Sequence, residues 1–136
     1  MAHSAIVHAL GGVVIDVRDL ERMAAFWGAL LGQEPGQPRS GGGWLTVGTL
    51  EGSAWLVLQH VPEPKTVKNR VHLDFLVDDV DAAITRILAL GGRQMSERRV
   101  GGGVTMADPE GNEFCIGAFR RTKEGKQMPL SAGLSS

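Results

Sequence analysis

The fold is decided by residues 70–92, which read Arg-Val-His-Leu-Asp-Phe-Leu-Val-Asp-Asp-Val-Asp-Ala-Ala-Ile-Thr-Arg-Ile-Leu-Ala-Leu-Gly-Gly. The first half alternates in polarity with a period of two, which predicts a strand that places His72 and Asp74 on one face. The second half carries apolar residues at spacings of three and four, which predicts an amphipathic helix. Asp79 stands at the N-cap position, and the two closing glycines are typical of a helix end. The stretch therefore predicts a strand–helix unit with an imidazole and a carboxylate on one strand face.

A second copy of this unit lies about sixty residues earlier in the chain. The residues that match at this offset include Val17 with Val77, Asp19 with Asp79, Gly32 with Gly92, and Arg39 with Arg99. The triglycine at 41–43 also matches the triglycine at 101–103. Each copy alone is too small to bury its helix face. We therefore predict an α+β fold of two tandem βαβββ modules, whose curved mixed sheets form a concave cleft with the helices outside.

The predicted domain organisation follows from these modules. Module one covers about residues 1–62, a linker covers about 61–69, and module two covers about 69–121. Together they are expected to form one domain, because 136 residues suffice for one ordinary core but not for two. The polar residues 122–136 are expected to form a flexible tail.

Within the modules, apolar runs and turn residues predict the remaining strands. They are expected at 13–17, 44–47, 54–60, 71–77, 93–99, 104–107 and 113–119. Asp108-Pro109-Glu110-Gly111-Asn112 is expected to be a tight turn, because Pro109 presets φ and Gly111 can adopt a positive φ. Trp27 lies on the apolar stripe of the first helix and is expected in the core.

The composition predicts a globular cytoplasmic protein. Hydrophobic residues make up 43% and charged residues 21% of the chain, as in folded soluble domains. A net charge of −1 offers no electrostatic attraction to nucleic acid or anionic membranes. The single cysteine, Cys115, has no internal disulfide partner, which fits a reducing compartment. No apolar run reaches the ~20 residues of a membrane span, and no basic segment precedes the first apolar stretch, so we expect no signal peptide.

Three stretches of the chain carry a resemblance to a known superfamily. They are Val17-Arg18-Asp19-Leu20 with Phe26-Trp27 and Leu30-Leu31-Gly32, then Val71-His72-Leu73-Asp74 through Val77-Asp78-Asp79, and Asp108-Pro109-Glu110-Gly111-Asn112-Glu113-Phe114. Together they resemble the vicinal-oxygen-chelate superfamily, which includes glyoxalase I, extradiol dioxygenases, methylmalonyl-CoA epimerase, and bleomycin- and fosfomycin-resistance proteins. The resemblance covers about residues 8–119 and implies a glyoxalase-like domain. It leaves the reaction open, because the superfamily supports several unrelated chemistries.

The resemblance also implies a metal position. The superfamily usually holds its metal with one ligand from each of four strands, commonly His, Glu or Gln, His and Glu. The matching positions here are Gly12, Gln59, His72 and Cys115. Because Gly12 has no donor atom, the usual set is broken. His72, Gln59 and Cys115 remain as candidate metal ligands, although Gln is a poor zinc ligand and a buried thiol otherwise behaves as a small hydrophobe.

His72 and Glu113 are the candidate catalytic residues. His72 can ligate a metal, act as a general base or donate a hydrogen bond to a substrate oxygen, and the alternative is a histidine of the core or of a dimer interface. Asp74 can orient His72 or pair with Arg70 or Lys68, and we favour the pairing. Glu113 can act as an acid or base, although its place beside a turn favours a solvated position.

The candidate ligand-binding residues are apolar or neutral apart from Asp74. Trp44 and Trp55 can form a stackable wall for a planar or hydrophobic ligand. Gln59 alternates onto the strand face that carries Trp55, and its alternative role is that of a polar cavity residue without chemistry.

Two classes of function remain open at this point. The first is a small-molecule enzyme of lyase, isomerase or dioxygenase type, either with a divalent metal or with metal-free acid–base chemistry at His72. The second is a non-catalytic protein that binds or sequesters a ligand in the cleft. In both cases we expect a small-molecule ligand and a homodimer, since superfamily members often pair modules across a dimer.

Overall fold

The computed structural model describes residue 6 and residues 10–39, 41–49, 54–100 and 102–118. The chain divides into two compact units, Met1–Pro64 and Lys65–Ser136. The first unit contains β1 (Gly12–Val17), α1 (Leu20–Leu31), β2 (Trp44–Gly48) and β3 (Trp55–His60). The second contains β4 (Leu73–Val77), α2 (Val80–Ala89), β5 (Arg93–Gln94), β6 (Val104–Ala107) and β7 (Glu113–Ala118). The predicted tail, 122–136, lies outside the described residues.

Each unit has one mixed sheet of the same topology. The strand orders are β1-β3-β2 and β4-β7-β6-β5. In each sheet the first strand pairs in parallel with the last strand, which pairs antiparallel with the strand before it. This arrangement confirms the predicted α+β fold of two modules with mixed sheets. The single domain and the concave cleft stay predictions.

The segment before β2 is less regular than its counterpart in the second unit. The amide of Gly36 donates to the carbonyl of Thr46 over 2.8 Å, and Arg39 forms an isolated bridge with Trp44. Among the described residues this segment is not a strand, so the first unit shows βαββ. In the second unit the predicted strand at 93–99 shortens to Arg93–Gln94, although the amide of Met95 still donates to Thr105 over 2.7 Å.

Both helices begin at the predicted aspartates. Oδ1 of Asp19 accepts from the amide of Arg22, and Oδ1 of Asp79 accepts from the amide of Ala82, each over 3.0 Å. Such a cap satisfies one of the amides that lack a partner within the helix.

The helix ends correct the repeat by one residue. Gly32 adopts a φ of 66°, and Gly91, not Gly92, adopts the corresponding positive φ of 96°. The offset between the modules is therefore 60 residues at the N-caps and 59 at the positive-φ glycines, because α2 ends earlier in its module than α1 does. Gly92 meets a different requirement: a Cβ there would lie 2.7 Å from the carbonyl oxygen of Ala107.

Each helix packs against its own sheet and leaves the other sheet face more open. Trp27 is buried in α1, as predicted, and alternate residues of β2 and β3 are buried with it: Leu45, Val47, Leu56 and Leu58. The opposite face, here called the open face, carries the more exposed side chains that alternate with them. Among the described residues, no helix is long and apolar enough to cross a membrane.

Candidate functional site

A row of polar side chains crosses the open face of the second sheet. Asp74 of β4 pairs in register with Cys115 of β7, and Cys115 pairs in register with Thr105 of β6. His72 precedes β4 by one residue and reaches back to Asp74. Because side chains of directly paired residues share a sheet face, the register brings these four groups together. They are called the polar row below.

His72 and Asp74 contact each other directly. Nε2 of His72 lies 3.2 Å from Oδ1 of Asp74, and their side chains are 46% and 39% exposed. Of the two alternatives considered for Asp74, the structure shows the contact with His72 and not the favoured pairing with Arg70 or Lys68. A polar contact this exposed contributes at most about 1 kcal/mol to stability, so its geometry matters more for chemistry than for folding.

Cys115 lies between Asp74 and Thr105 in the polar row. Its residue is 7% exposed, and its Sγ lies 3.4 Å from Oγ1 of Thr105. Nη2 of Arg99 donates to the same Oγ1 over 2.5 Å. Among the described residues, the buried Nη1 of Arg99 has no hydrogen-bond partner. The sulfur is thus connected through a hydroxyl to a guanidinium.

Sequence reasoning missed Arg99 and Thr105 as members of this site. The repeat matched Arg99 with Arg39, but we had assigned neither a role. Thr105 stands between Val104 and Met106, which are both buried. A single polar residue between two apolar ones in a strand indicates that its side chain lies on the opposite sheet face, and this was the signal available in the sequence.

Glu113 is largely buried, whereas its position beside the turn had favoured a solvated side chain. Its side chain is 12% exposed and pairs with Nζ of Lys65 at 2.5 Å. Its other oxygen accepts from the amide of Asn69 over 2.8 Å, and Nδ2 of Asn69 donates to the carbonyl of Glu113. The carboxylate therefore anchors the segment predicted as a linker. A catalytic role for Glu113 stays a prediction.

The ionisation of Glu113 follows from these contacts. Burial alone would raise the pKa of the carboxyl, but the hydrogen bonds from Lys65 and Asn69 and the charge of Lys65 outweigh burial. The net result is a pKa of Glu113 below its ordinary value, so the group is a carboxylate at neutral pH.

A cavity of about 710 Å³ lies within the first unit. Trp55 and Val57 of β3 and Thr46 of β2 line it on the open face, and Arg39 and Glu34 line it on the segment before β2. Trp55 is 53% exposed, so its ring is available to a ligand. Sequence reasoning placed Trp55 in a binding wall but missed Thr46, Glu34 and Arg39.

Two further predicted binding residues lie on the same open face without lining this cavity. Trp44 is 37% exposed and stands opposite Gln59 in the antiparallel pair of β2 and β3. Gln59 also pairs with Asp16 of β1. The structure thus brings Trp44 next to Gln59 and gives Trp55 a different set of neighbours.

The register of the strands tests whether the four-strand metal set of the superfamily fits this chain. Val14 pairs with Val57 where Asp74 pairs with Cys115, so the counterpart of Cys115 in the first unit is Val57 and not Gln59. Gly12 offers no donor, and a Cβ there would lie 3.1 Å from the carbonyl oxygen of Trp55. Gly12 therefore leaves the four-strand set without one of its donors, so the usual set does not fit, and Gln59 as a metal ligand stays a prediction.

The second unit brings three potential metal donors together by itself. One ligand atom each of His72, Asp74 and Cys115 lie within 4.8 Å of one another. Asp74 joins the group as a donor that the sequence analysis had not assigned to a metal, and Gln59 as a metal ligand stays a prediction. His72 and Cys115 are the members shared with the set expected from the sequence.

A known protein family matches most of the chain: the glyoxalase-like domain family covers residues 12–117. This chain belongs to the glyoxalase-like domain family. The predicted membership of the vicinal-oxygen-chelate superfamily is thereby confirmed. No curated protein matches the chain in sequence.

Several solved structures share the fold of this glyoxalase-like domain. A mutant of the fosfomycin resistance protein FosX from Listeria monocytogenes, with Mn(II) and a dihydroxypropylphosphonic acid, is 22% identical with a TM-score of 0.68, covering 83% of this chain and 91% of that one. A glyoxalase/bleomycin resistance/dioxygenase family enzyme from Burkholderia phytofirmans is 22% identical with a TM-score of 0.63, covering 78% and 94%. A glyoxalase-related enzyme from Fulvimarina pelagi is 17% identical with a TM-score of 0.66, covering 90% and 99%. At these identities the likeness establishes the fold of the glyoxalase-like domain and leaves its chemistry open.

Proposed function

We propose that this glyoxalase-like protein binds a small molecule with an apolar, planar part and an anionic group in the cavity of its first unit. The cavity itself carries the proposal. Its volume of about 710 Å³ falls within the range of about 300–1,000 Å³ that is usual for small-molecule sites.

The lining of the cavity supports this class of ligand. Trp55 offers an exposed indole face, on which planar groups stack, and Val57 adds aliphatic surface beside it. Arg39 supplies a planar guanidinium that suits a carboxylate, phosphate or sulfonate. Gly12 lines the cavity without a side chain, and a Cβ there would lie 3.1 Å from the carbonyl oxygen of Trp55.

Binding of the fluorescent aromatic sulfonate 8-anilinonaphthalene-1-sulfonate tests this proposal. We expect one saturable site and a loss of affinity of about tenfold or more in Trp55→Ala, because burying an indole contributes well over 1.4 kcal/mol, the equivalent of a tenfold change. Arg39→Gln is expected to weaken binding of the sulfonate in the same direction. Titration of fluorescence at several salt concentrations measures both effects.

Trp44→Ala is the matched control, because Trp44 lies on the same open face but does not line the cavity. It is expected to change the affinity less than about twofold. Equal losses in Trp44→Ala and Trp55→Ala, or unchanged binding in Trp55→Ala, would contradict the proposed site.

A second candidate function is proton transfer at His72. The contact between Nε2 of His72 and the carboxylate of Asp74 favours it, because a proton on Nε2 leaves the lone pair on Nδ1. A base held this way can remove a proton next to a carbonyl. Deuterium exchange of α-hydroxyketones in D₂O, followed by NMR, should then depend on His72 and persist in His60→Gln, an exposed histidine of the first unit. Exchange that survives in His72→Gln argues for the binding function alone.

The finer expectations from the sequence remain part of this proposal. They are a lyase, isomerase or dioxygenase type of reaction if the protein is an enzyme, a drug-sequestering role if it is not, a homodimeric assembly and a cytoplasmic location. The enzyme neighbours in the family support the first of these, and the cavity is compatible with both classes.

A further inference from the structure

We propose that His72, Asp74 and Cys115 form a metal site within the second unit alone, and that this site selects a thiophilic divalent cation of the zinc type. The three ligand atoms lie within 4.8 Å of one another. The proposal goes beyond ligand binding in the first unit and does not depend on it. It also departs from the four-strand arrangement, because no donor from the first unit takes part.

Strand register brings the donors together. Asp74 and Cys115 are paired residues of the parallel strands β4 and β7, and His72 lies two residues before Asp74. Bonds of about 2.0–2.3 Å at tetrahedral angles require donor atoms about 3.3–3.8 Å apart. The present separations, at most 4.8 Å, exceed this by no more than about 1.5 Å. His72 and Asp74 are exposed, so rotation of their side chains can close the gap without moving the strands.

The donor set determines which cation is preferred. Imidazole nitrogen, carboxylate oxygen and cysteine sulfur are all common zinc donors, and three protein donors is the number found in catalytic zinc sites. A thiolate is a poor ligand for the hard cations Mg²⁺, Ca²⁺ and Mn²⁺. We therefore expect a preference that differs from the Mn(II) found in the FosX structure.

The surroundings of Cys115 support its role as a donor. Arg99 can only donate hydrogen bonds, so Oγ1 of Thr105 accepts from it, and the hydroxyl proton of Thr105 is available to donate to Sγ when Cys115 is a thiolate. This fixes the direction of the sulfur, as residues behind metal ligands commonly do. The guanidinium lies behind Thr105, two hydrogen bonds from the sulfur, whereas the carboxylate of Asp74 lies within ligand distance. The negative charge of Asp74 favours a cation at this position.

Cobalt titration of the full chain tests the proposal directly. Metal-free, reduced protein is titrated with Co²⁺ alone, and a sulfur-to-cobalt charge-transfer absorption is expected to saturate at about one equivalent. Zn²⁺ should displace the cobalt stoichiometrically, whereas Mg²⁺ and Mn²⁺ at the same concentration should not. The signal requires no knowledge of the substrate.

Near-isosteric variants identify the ligands. Cys115→Ser should abolish the charge-transfer absorption, and His72→Gln and Asp74→Asn should each lower zinc affinity by about 100-fold. Thr105→Val should retain the absorption and lower the affinity by about tenfold, as expected for a positioning residue. His60→Gln and Asp16→Asn, exposed residues of the first unit, are the matched controls and should behave like the wild type. Circular dichroism of each metal-free variant verifies the fold.

Three results would overturn the metal site. They are a lack of cobalt absorption in folded protein, zinc binding that Cys115→Ser or Asp74→Asn leaves intact, and Mn²⁺ competing as well as Zn²⁺. The sulfonate titration of the first unit is performed in EDTA, which keeps the protein free of metal. Failure of the proposed ligand binding can therefore be distinguished from failure of the proposed metal site. Because a bound metal takes the lone pair of His72, proton exchange that persists in zinc-saturated protein would also count against the site.

Discussion

Asp108→Ala is expected to lower the free energy of unfolding by about 3–5 kcal/mol. Asp108 is fully buried in the turn between β6 and β7. Its Oδ1 accepts from the amides of Glu110 and Asn112, and its Oδ2 accepts from Nδ2 of Asn112, each over 2.9 Å. Removing the carboxylate leaves three donors without these acceptors, and each such group costs about 1–3 kcal/mol when buried.

Urea unfolding followed by circular dichroism measures this loss. Asp108→Asn keeps one carbonyl oxygen for the two amides and is expected to lose about half as much. Asp16→Ala removes an exposed carboxylate from β1 and should stay within about 0.5 kcal/mol of the wild type. A loss in Asp108→Ala no larger than in Asp16→Ala would mean that the hydrogen bonds of this turn do not stabilise the fold.

Asp108→Ala also bears on the polar row. The turn sets the antiparallel register of β6 and β7, which places Thr105 opposite Cys115. Its positive-φ residue is Gly111, at 92°, as the sequence predicted. Weaker cobalt absorption in Asp108→Ala than in Asp16→Ala is therefore expected, since the donors are no longer held in place.

Lys65→Met is expected to lower the free energy of unfolding by about 2–3 kcal/mol near neutral pH. The side chains of Lys65 and Glu113 are 16% and 12% exposed, so the substitution leaves a largely buried carboxylate without its counter-charge. Breaking one side of a buried pair costs more than the pair contributes when intact. Lys68→Met is the matched control, because Lys68 is an exposed lysine of the same segment, and it should have little effect.

The effect of Lys65→Met should depend on pH in a known direction. The pKa of Glu113 is lower in the folded chain than its ordinary value, so its stabilising contribution is complete above the ordinary pKa. The contribution is lost as the pH falls through the lowered pKa, because the carboxyl is then protonated in both states. Urea unfolding between about pH 7 and about pH 3 should show the wild type and Lys65→Met converging in stability as Glu113 becomes protonated. A difference that stays constant over this range would contradict the pairing.

Local features of the chain could be predicted well. The N-caps Asp19 and Asp79, the core position of Trp27 and the shared face of His72 and Asp74 follow from contacts within a few residues along the chain. Sequence spacing contains that information directly. The same reasoning was less accurate at the end of α2, where Gly91 and not Gly92 has the positive φ that matches Gly32. It also predicted a strand at 93–99, where β5 covers only Arg93–Gln94.

Residues brought together by strand pairing were harder to predict. Cys115 faces Asp74 because of the parallel register between β4 and β7. Nothing in the spacing of residues about forty positions apart determines that register. For the same reason Glu113 was expected in solvent, since its partners Lys65 and Asn69 lie far from it in the chain.

The sequence by itself determined the two-module α+β fold, the helix caps, the glycine turns and the superfamily. The fold, the caps and the turns rest on local conformational preference or on a repeat, and both are visible in one chain. The superfamily rests on the resemblance of three stretches to known proteins. The tertiary structure decided which donors meet in the polar row, which tryptophan lines the cavity and how Glu113 is paired. These contacts join distant residues, and their geometry depends on strand register and on the direction of each side chain, which only the folded chain defines.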